Sequence, residues 1–475
     1  MSAIRCDLCV IGAGAGGLSV AAAAARLGAD TVLVERGAMG GDCLNTGCVP
    51  SKALLAAAAA ARAVRTAGRF GIGAPEPAID AAAVYAYVQA AIAAIAPHDS
   101  RERFEGLGVR VIAAHARFTG PDTVMAEGAA IRARRFVLAT GSRPLVPPVP
   151  GLDTVAYLTN ETLFAGSTLP GHLLVLGGGP VGVEMAQAHR RLGARVTLVE
   201  RATLLPRDDP ELVAVVRSTL EAEGVTLIEG TGVARVAPAG DGDGDGVAAE
   251  LADGRRISGS HLLVAAGRRP VVEDLGLEAA GIAAGPAGIT VDARLRTTNR
   301  RVYAVGDCTG GPAFTHAAGH QAGIVVRNAL FRWPGRADRI ALPRATFTDP
   351  ELAQVGLTEA QARAARDGDV TVLRQPFAGN DRARTEGAPE GLVKLVVRRN
   401  GRILGAGIAG RHAGEQIAPW CLAIARGLRV HDLAGVVLPY PTLAEAGKRA
   451  AGAFFEPVLF GPRTRWLVRF LARFG

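Results

Sequence analysis

Short apolar runs alternate with glycine-rich turns at the start of the chain, which predicts a strand, a helix and a second strand in succession. Residues 6–11 and 31–34 are mainly apolar, as in parallel strands buried on both faces. Between them lie an alanine-rich stretch and three glycines with the spacing G-x-G-x-x-G: Gly12, Gly14 and Gly17. The first glycine suits a tight turn, the second admits a pyrophosphate, and the third lets helix and strand pack closely. Glu35 ends the second run with a carboxylate suited to a ribose hydroxyl, so the pattern predicts a dinucleotide site.

The same pattern recurs further along the chain. Residues 173–176 are apolar, and three glycines follow with the same spacing: Gly177, Gly179 and Gly182. Residues 196–199 then lead to Glu200, and the first glycine precedes the acid by 23 residues in both copies. Two such units predict two bound dinucleotides. Glu200 would repel a 2′-phosphate and favours NADH, whereas the adjacent Arg201 could bind that phosphate, which leaves NADPH as the alternative.

Composition narrows the class of protein. A length of 475 residues predicts about three domains, at roughly 150 residues each. The net charge of +9 is carried almost entirely by arginine, without the interleaved aromatics of nucleic-acid binding. Six cysteines in so long a chain do not suggest a secreted disulfide framework, and we expect no apolar run of the ~18 residues that span a membrane. These features favour a cytoplasmic protein, in which a disulfide would serve catalysis.

A cysteine pair follows the first glycine-rich turn, in the segment from Cys43 to Lys52, which reads CLNTGCVPSK. Four residues between the sulfurs would let Cys43 and Cys48 bond to each other on one helical turn. Gly47 leaves room for a flat ring to approach. Such a disulfide beside a flavin could take two electrons from one side and pass them to a substrate on the other; a structural disulfide is the alternative. The position therefore predicts FAD in the first dinucleotide site and a nicotinamide nucleotide in the second.

Taken together, these motifs resemble the pyridine nucleotide-disulfide oxidoreductases, the family of dihydrolipoamide dehydrogenase, glutathione reductase and mercuric reductase. The resemblance covers nearly the whole chain. It includes further segments in the family's order: Ala139-Thr140-Gly141, residues 265–270 with Gly267, Val305-Gly306-Asp307, residues 348–351 and residues 355–359. The resemblance implies that Asp307 binds the ribityl chain of FAD. It also places Thr140, Gly141 and Gly267 in the cofactor-binding part of the chain.

The resemblance implies an α/β fold with two Rossmann-like dinucleotide-binding domains and a C-terminal α+β dimerisation domain. We expect the FAD domain to be split around the NAD(P) domain. The expected boundaries are 1–150 and 271–342 for the two parts of the FAD domain, 151–270 for the NAD(P) domain and 343–475 for the interface domain. A homodimer is therefore the expected assembly.

The resemblance also assigns roles to the reactive residues. Cys48 would be the sulfur next to the flavin, and Cys43 the outer thiol that attacks the substrate. Lys52 would lie near the reactive flavin nitrogen and pair with Glu184, which follows the second glycine motif. A positive charge in that place stabilises the anionic reduced ring and lowers the pKa of a nearby thiol.

One position departs from the lipoamide and glutathione reductase pattern. In those enzymes a His-Pro-Thr-x-x-Glu segment reaches the partner subunit's site; its histidine exchanges a proton with the outer thiol and its glutamate orients the histidine. Here the segment begins with Tyr440 and keeps Glu445. A phenol with a reference pKa of ~10 hardly accepts a proton at neutral pH, so ordinary lipoamide turnover is not expected. His316, His320 and His431 are the alternative bases.

A tyrosine in this place is similar to the mercuric reductases, and so is the segment 447–451. Those enzymes also carry a cysteine pair near the C-terminus and often an N-terminal metal-binding domain; neither is expected here, since Cys421 is the last cysteine. The resemblance implies electron flow from NAD(P)H through FAD and the Cys43–Cys48 disulfide to a disulfide, a quinone or a thiol-bound metal. Dihydrolipoamide dehydrogenase is the alternative activity. A membrane-docked redox sensor or electron carrier is the alternative of another class.

The last residues, 462–475, predict a basic interfacial helix that begins at Pro462. Three arginines share one face, with three aromatic residues alongside: Arg465, Arg469 and Arg473, and Trp466, Phe470 and Phe474. Such a helix could contact an anionic membrane or a partner, and packing on its own dimer is the alternative.

The segment from Asp241 to Gly246 resembles the start of a calcium loop. Its twelfth position is Ala252, where a bidentate glutamate is required, so we expect a hairpin loop and no metal site.

Overall fold

The computed structural model describes residues 3–239, 246–337, 342–365 and 368–474; residues 241–245 of the loop that resembles a calcium site lie outside them. The strands of the described residues are β1 Ile4–Ile11, β2 Thr31–Glu35, β3 Val109–Ala113, β4 Arg117–Gly120, β5 Thr123–Ala126, β6 Ala129–Leu138, β7 Ser142–Pro144, β8 His172–Leu176, β9 Arg195–Glu200, β10 Thr226–Glu229, β11 Val233–Pro238, β12 Val247–Leu251, β13 Arg256–Gly259, β14 His261–Val264, β15 Arg268–Pro270, β16 Ala284–Gly285, β17 Gly288–Ile289, β18 Val302–Ala304, β19 Arg344–Thr346, β20 Glu351–Gly356, β21 Thr371–Pro376, β22 Leu392–Val397 and β23 Ile403–Gly410.

The α-helices of the same residues are α1 Ala15–Arg26, α2 Gly41–Asn45, α3 Cys48–Thr66, α4 Ala81–Ile95, α5 Arg101–Gly106, α6 Pro180–Arg191, α7 Pro210–Ala222, α8 Thr315–Leu330, α9 Glu359–Ala365, α10 Asp381–Thr385, α11 Ala413–Gln416, α12 Ala418–Arg426, α13 Val430–Ala434, α14 Glu445–Ala453, α15 Glu456–Leu459 and α16 Pro462–Leu471. Short 3₁₀ helices cover Ala67–Phe70, Ala96–Asp99, Leu152–Thr154, Leu163–Ala165, Gly306–Thr309 and Phe377–Gly379. The helix start expected at Pro462 is confirmed.

The first sheet is built around the two apolar runs at the start of the chain. Its strand order is β3-β2-β1-β6-β5-β4, and β18 also pairs with β6. Strands β3, β2, β1, β6 and β18 run parallel, whereas β4 and β5 are antiparallel additions at one side. The inner strands are apolar where both faces are buried, at residues 8–11 of β1 and 32–34 of β2. Since β18 lies far along the chain, the chain returns to this sheet after passing through the second glycine motif.

A second parallel sheet carries the second glycine motif. Strand β8 pairs with β9 on one side and with β14 on the other, all parallel. Strands β11, β12 and β13 form a separate antiparallel sheet. Apolar residues of both sheets share one core, which includes Leu174, Val236 and Val264. This arrangement gives the second dinucleotide unit its own hydrophobic core.

The C-terminal part contains a five-stranded antiparallel sheet in the order β19-β20-β23-β22-β21. Helices α12 and α14 pack against it, with Trp420 buried in the shared core. The fold class expected from the sequence, two dinucleotide-binding units followed by an α+β domain, is confirmed. Two compact units are distinguished by contacts: residues 1–62, 76–201 and 230–337, and residues 63–75, 202–229 and 338–475. The expected domain boundaries stay a prediction.

Two helical stretches differ from the expectation that no segment has the character of a membrane span. Residues 41–70 and 81–106 each contain an 18-residue window with sufficient hydropathy, of which 28% and 11% are buried. Alanine dominates both windows and raises the mean hydropathy without a run of large apolar side chains. In α4, Tyr85 and Val88 are buried in the protein, and Gln89 Nε2 donates to Phe164 O at 2.8 Å. Length and composition alone are therefore weak evidence for a span here.

The compact unit that contains residues 338–475 has a buried cation paired with several carboxylates. Lys394 lies on β22 with its side chain only 4% exposed, and its Nζ is 2.8 Å from Asp209, 2.5 Å from Glu211 and 2.8 Å from Glu359. The guanidinium of Arg374 also contacts Glu211 and Glu359. Burying the lysine charge is offset only because several carboxylates share it.

We expect Lys394→Met to lower the free energy of unfolding by about 3–5 kcal/mol, because the substitution leaves the buried Asp209 carboxylate without its cation. The measurement is urea unfolding followed by circular dichroism. Arg382→Met is the matched control, since its pair with Glu386 is on the surface and contributes about 0–1 kcal/mol. Equal losses in the two variants would contradict this account of the buried cluster.

Candidate active site

The two glycine-rich turns have the same close-packed geometry. Gly12 has a φ of +105°, and a Cβ there would lie 2.3 Å from the carbonyl oxygen of Ala139; a Cβ on Gly17 would lie 1.8 Å from Gly12 O. In the second turn, a Cβ would lie 2.4 Å from Ala265 O at Gly177 and 1.9 Å from Gly177 O at Gly182. No larger residue fits at these four positions without movement of the backbone.

The middle glycines differ, because they face open space. A Cβ on Gly14 would meet only the Cα of Gly41, at 4.0 Å, and a Cβ on Gly179 would meet nothing within 4 Å among the described residues. Both are the N-cap residues of helices, α1 and α6, and neither helix has a side-chain cap. The N–H groups at such a helix start are suited to an anionic phosphate.

Each turn holds an acidic residue in the same way. Glu35 Oε2 accepts from Ala13 N at 2.5 Å, and Glu200 Oε2 accepts from Gly178 N at 2.7 Å. Both acids end the second strand of their unit, beside the turn that would carry the phosphates. A carboxylate fixed in this position is suited to a ribose hydroxyl. The exposed Arg201 follows Glu200 directly.

The cysteine pair spans the break between two helices. Cys43 lies in the short α2, which ends at Asn45, and Cys48 is the first residue of α3. The expectation that both lie on one helical turn is therefore wrong: Thr46, with φ −141°, interrupts the helix between them. Asn45 Nδ2 ties this break to the chain by donating to the carbonyl oxygens of Met39 and Gly41. In the structure both cysteines are thiols.

The two sulfurs share one proton unequally. A hydrogen bond from the Cys43 thiol, and further the Thr315 hydroxyl and the Lys52 ammonium, lower the pKa of Cys48 to about 6, against the opposing effect of burial. The same bond to Cys48, together with burial, raises the pKa of Cys43 well above its ordinary value. In the reduced pair the charge therefore rests on Cys48 and the proton on Cys43. The start of α3 adds a helix dipole that favours an anion at Cys48.

Thr315 is a contact that the sequence analysis missed. It is the first residue of α8, and its Oγ1 lies 3.4 Å from Cys48 Sγ. The neighbouring His316, an alternative base from the sequence, stacks its ring on Phe314, with centroids 5.2 Å apart. A threonine at a helix start carries no sequence signal of its own, which explains why only the structure reveals it.

Lys52 and Glu184 form the expected pair. Lys52 Nζ donates to Glu184 Oε2 at 2.8 Å, although the two residues lie 132 positions apart. The glutamate side chain is 5% exposed and the lysine side chain 38%, so a buried carboxylate fixes a partly exposed lysine. Lys52 lies one turn after Cys48 on α3, on the same side of the helix.

Asp307 lies in a network next to the crossing between the two dinucleotide units. Ser142 Oγ donates to Asp307 Oδ2 at 2.6 Å and accepts from Arg268 Nε at 2.7 Å. Arg268 also reaches Asp42 Oδ2 at 3.2 Å, next to Cys43 in sequence. The network thus connects the aspartate to the residue beside the outer cysteine.

Asp42 and Asn160 tie down the loop of the cysteine pair, and the sequence analysis named neither. Asp42 Oδ1 accepts from Thr46 Oγ1 at 2.8 Å and from Asn160 Nδ2 at 2.9 Å. Asn160 Nδ2 also donates to Thr46 O at 3.1 Å. The position of Asp42 beside Cys43 was the only available signal.

The segments with Thr140, Gly141 and Gly267 lie side by side where the chain leaves and re-enters the FAD unit. Strands β7 and β15 pair antiparallel, and Thr140 Oγ1 donates to Val271 O at 2.7 Å. Gly141 has a φ of +70° and Gly267 a φ of +125°, which favour glycine. The structure thus brings together distant segments that the resemblance had named.

Tyr440 and Glu445 lie in the C-terminal unit. Tyr440 is 69% exposed, and its hydroxyl donates to Asp381 Oδ2 at 2.9 Å. This hydrogen bond, with the negative charges of Asp381 and Glu445, raises the pKa of Tyr440 above its ordinary value. The Oε2 atom of Glu445 is buried and has no hydrogen-bond partner among the described residues. The phenol is therefore a poor base, and His431, paired with Asp432 at 3.0 Å, is an exposed surface residue.

Two dinucleotide turns with a polarised thiol pair beside the first define a two-electron flavoprotein reductase. A family model described as pyridine nucleotide-disulphide oxidoreductase matches residues 6–322, and the dimerisation domain of that family matches residues 342–451. The chain belongs to the pyridine nucleotide-disulphide oxidoreductase family.

Individual relatives agree on the class and differ in named substrate. A mercuric reductase of Streptomyces lividans is 41% identical over 95% of this chain and 97% of its own length. A dihydrolipoyl dehydrogenase of Thermus scotoductus is 37% identical over 95% and 98%. The Cu(II) complex of the HOCl-induced flavoprotein disulfide reductase RclA from Escherichia coli has a TM-score of 0.84 at 28% identity, over 95% of this chain and 100% of its own. The protein is therefore an oxidoreductase that uses FAD and NAD(P)H and forms a homodimer.

The residues of the first turn fit FAD. Gly14 leaves the start of α1 open, Glu35 is fixed for a ribose, and the Cys48 sulfur and the Lys52 ammonium lie on one face of α3. When bound there, FAD supplies the two-electron relay between nicotinamide and sulfur. The chain itself supplies the thiolate, the cation and the proton on Cys43.

We expect Thr315→Val to raise the pKa of Cys48 above about 6, because the variant removes a hydrogen bond that favours the thiolate. In the reduced holoenzyme the thiolate exists above the pKa and is lost as the pH falls through it, so the variant should lose it at higher pH. The measurement is a pH titration of the long-wavelength absorption that a thiolate gives beside oxidised flavin. Thr315→Ser, which keeps the hydroxyl, is the matched control, and identical titrations for valine and serine would contradict the assignment.

Proposed function

We propose that this protein is an NADH-dependent reductase of a thiol-bound metal ion. The Streptomyces relative at 41% identity is named a mercuric reductase, which supports this substrate class. One observation carries the proposal: the position of the family's catalytic histidine is occupied by Tyr440, whose hydroxyl is bonded to Asp381 and whose pKa is raised. A substrate that needs a proton acceptor at this position is disfavoured. A metal ion exchanged between sulfurs does not need one.

The proton balance explains why. Transfer of a divalent metal ion from two substrate thiolates to Cys43 and Cys48 breaks two metal–sulfur bonds and forms two. The proton held on Cys43 leaves on one of the displaced thiolates, so no further base is required. Two electrons from NADH then reduce the metal to its zero-valent state, and NADH becomes NAD⁺ with release of one proton. The low pKa of Cys48 keeps a thiolate, the form that binds metal, available at neutral pH.

Within this proposal the residues have definite roles. Cys43 is the outer sulfur that meets the substrate, and Cys48 is the sulfur next to the flavin. Lys52, fixed by Glu184, places a positive charge beside the reduced ring. Asp307 holds the ribityl chain. Glu445 and Tyr440 would act in the active site of the partner subunit. The homodimer would work in the cytoplasm.

A disulfide or quinone is the second candidate acceptor. The structure of RclA, described as a flavoprotein disulfide reductase in a Cu(II) complex, favours thiol chemistry with either a disulfide or a metal. Reduction of a disulfide by the Cys43–Cys48 pair is balanced as well: two thiols become a disulfide, and the substrate disulfide becomes two thiols. In this route the Cys43 proton must leave before any substrate thiolate has been released to accept it, and the phenol at position 440 supports that step poorly. In a thiol-bound metal complex the thiolate ligands are present from the start.

We expect NADH to be preferred over NADPH, because Glu200 is fixed beside the second turn as Glu35 is beside the first. The measurement is kcat/KM for both nucleotides. Glu200→Ala should raise kcat/KM for NADPH relative to that for NADH. Arg201→Ala should lower kcat/KM for NADPH with little effect on that for NADH. A wild type that prefers NADPH would contradict this part of the proposal.

For dihydrolipoamide oxidation by NAD⁺, we expect a negligible wild-type rate that Tyr440→His raises by up to about 10²–10⁴-fold, the range of general-base help. Glu445, whose buried Oε2 has no hydrogen-bond partner among the described residues, is available to orient the new imidazole. Tyr440→Phe is the matched control and should leave the rate negligible. A fast wild type would instead identify a dihydrolipoamide dehydrogenase in which another group replaces the base.

The metal activity is measured as NADH oxidation that depends on Hg²⁺ presented with excess thiol. Wild type should be active, and Cys43→Ser should abolish this activity while leaving the flavin bound. Absence of Hg²⁺-dependent oxidation in the wild type would reject the metal substrate and favour the second candidate.

A further inference from the structure

The C-terminal tail exposes an unusual amount of apolar surface. Helices α15 and α16 contain no buried residue. Large apolar side chains are exposed along their whole length: Val458, Leu459, Phe460, Trp466, Leu467, Val468, Phe470, Leu471 and Phe474. Trp466 is 66% exposed and Phe474 75%. Residues of this kind are normally buried, so such a patch calls for a partner surface.

These side chains are sorted onto one face of α16. At 100° per residue, Trp466, Leu467, Phe470 and Leu471 share one side, and Phe474 follows just after the end of the helix. The aromatic rings touch along this side: Trp466 stacks on Phe470 with centroids 5.5 Å apart, and Phe470 meets Phe474 edge-on at 5.2 Å. Arginines spaced four residues apart border the edge of this side next to Trp466: Arg465, Arg469 and Arg473. Arg463 lies within the apolar side, near the start of the helix.

The charge of the tail has a single sign. Residues 457–475 contain four arginines, the three above and Arg463, and no acidic residue; the last acid of the chain is Glu456. A second copy of the tail offers the same cations and no carboxylate to meet them. The family's dimerisation model ends at residue 451, before this segment begins. Charge complementarity therefore favours an anionic surface over another copy of the chain.

We propose that the C-terminal tail, residues 457–474 with helix α16, docks the homodimer on a membrane of anionic lipids. Trp466, Phe470 and Phe474 enter the boundary between headgroups and acyl chains, and the arginines that border them contact lipid phosphates. A homodimer carries two such helices, so binding of one raises the effective concentration of the other at the same surface. The inference does not depend on which acceptor the active site reduces.

The test is flotation of the full-length holoenzyme with phosphatidylcholine vesicles, with and without phosphatidylglycerol, at low ionic strength. Binding is expected only with phosphatidylglycerol. Arg465→Glu/Arg469→Glu should lower the partition coefficient at least about 25-fold, since each arginine near an anionic surface contributes roughly fivefold. Trp466→Ala/Phe470→Ala should lower it as well.

The matched control is Arg5→Glu/Arg110→Glu, which makes the same change in net charge at exposed positions on β1 and β3. This variant should bind vesicles like the wild type. Flavin absorbance and the mass of the dimer by sedimentation confirm that each variant is folded. Three results would overturn the proposal: no flotation of the wild type with phosphatidylglycerol, equal loss in the control, or dissociation of the dimer when residues 457–475 are deleted, which would show that the tail packs on its own dimer.

Discussion

The close approach of backbone to backbone at the first glycine turn is the constraint on which the active site depends. Gly17 lies so near Gly12 that even a methyl group would overlap its carbonyl oxygen. This contact seats α1 on the sheet and leaves its N-terminus open. The same turn receives α2: a Cβ on Gly41 would lie 2.7 Å from the Cα of Gly14, and Gly40 N donates to Ala13 O at 3.0 Å. The glycine turn therefore positions the helix that carries Cys43, so nucleotide binding and thiol chemistry share one support.

Electrostatics then makes the two sulfurs different. Both cysteines are close in sequence and partly shielded, yet the pKa of one is lowered and that of the other raised. The difference comes from the hydrogen bond between them, from Thr315 and from Lys52, and Glu184 fixes the lysine. A symmetrical pair would hold no defined thiolate at neutral pH. The asymmetry leaves the thiolate on Cys48, at the start of α3, and the proton on Cys43.

The two dinucleotide turns and the cysteine pair were predictable from the sequence, because they depend on residue types at spacings that few other structures require. The pattern predicted Glu35 at the end of the second strand, and the structure places it there. Its hydrogen bond from Ala13 N is a further finding. Long-range partners such as Thr315 and Asn160 were not predictable, since a threonine or asparagine near a helix start serves many local purposes. The break at Thr46 was also missed, because helical spacing alone does not reveal where a helix ends.

The substitution at position 440 changes what the site can do without changing the fold. Tyr440 has a partner in Asp381, which holds its hydroxyl in place. A hydroxyl that donates to a carboxylate keeps a lone pair that can contact a metal or a thiol, but its raised pKa prevents proton uptake. The residues proposed for the reductive half of the chemistry, the thiol pair and Lys52, are present in this chain. A group at position 440 that cannot take up a proton disfavours acceptors whose attack by Cys43 depends on a separate base.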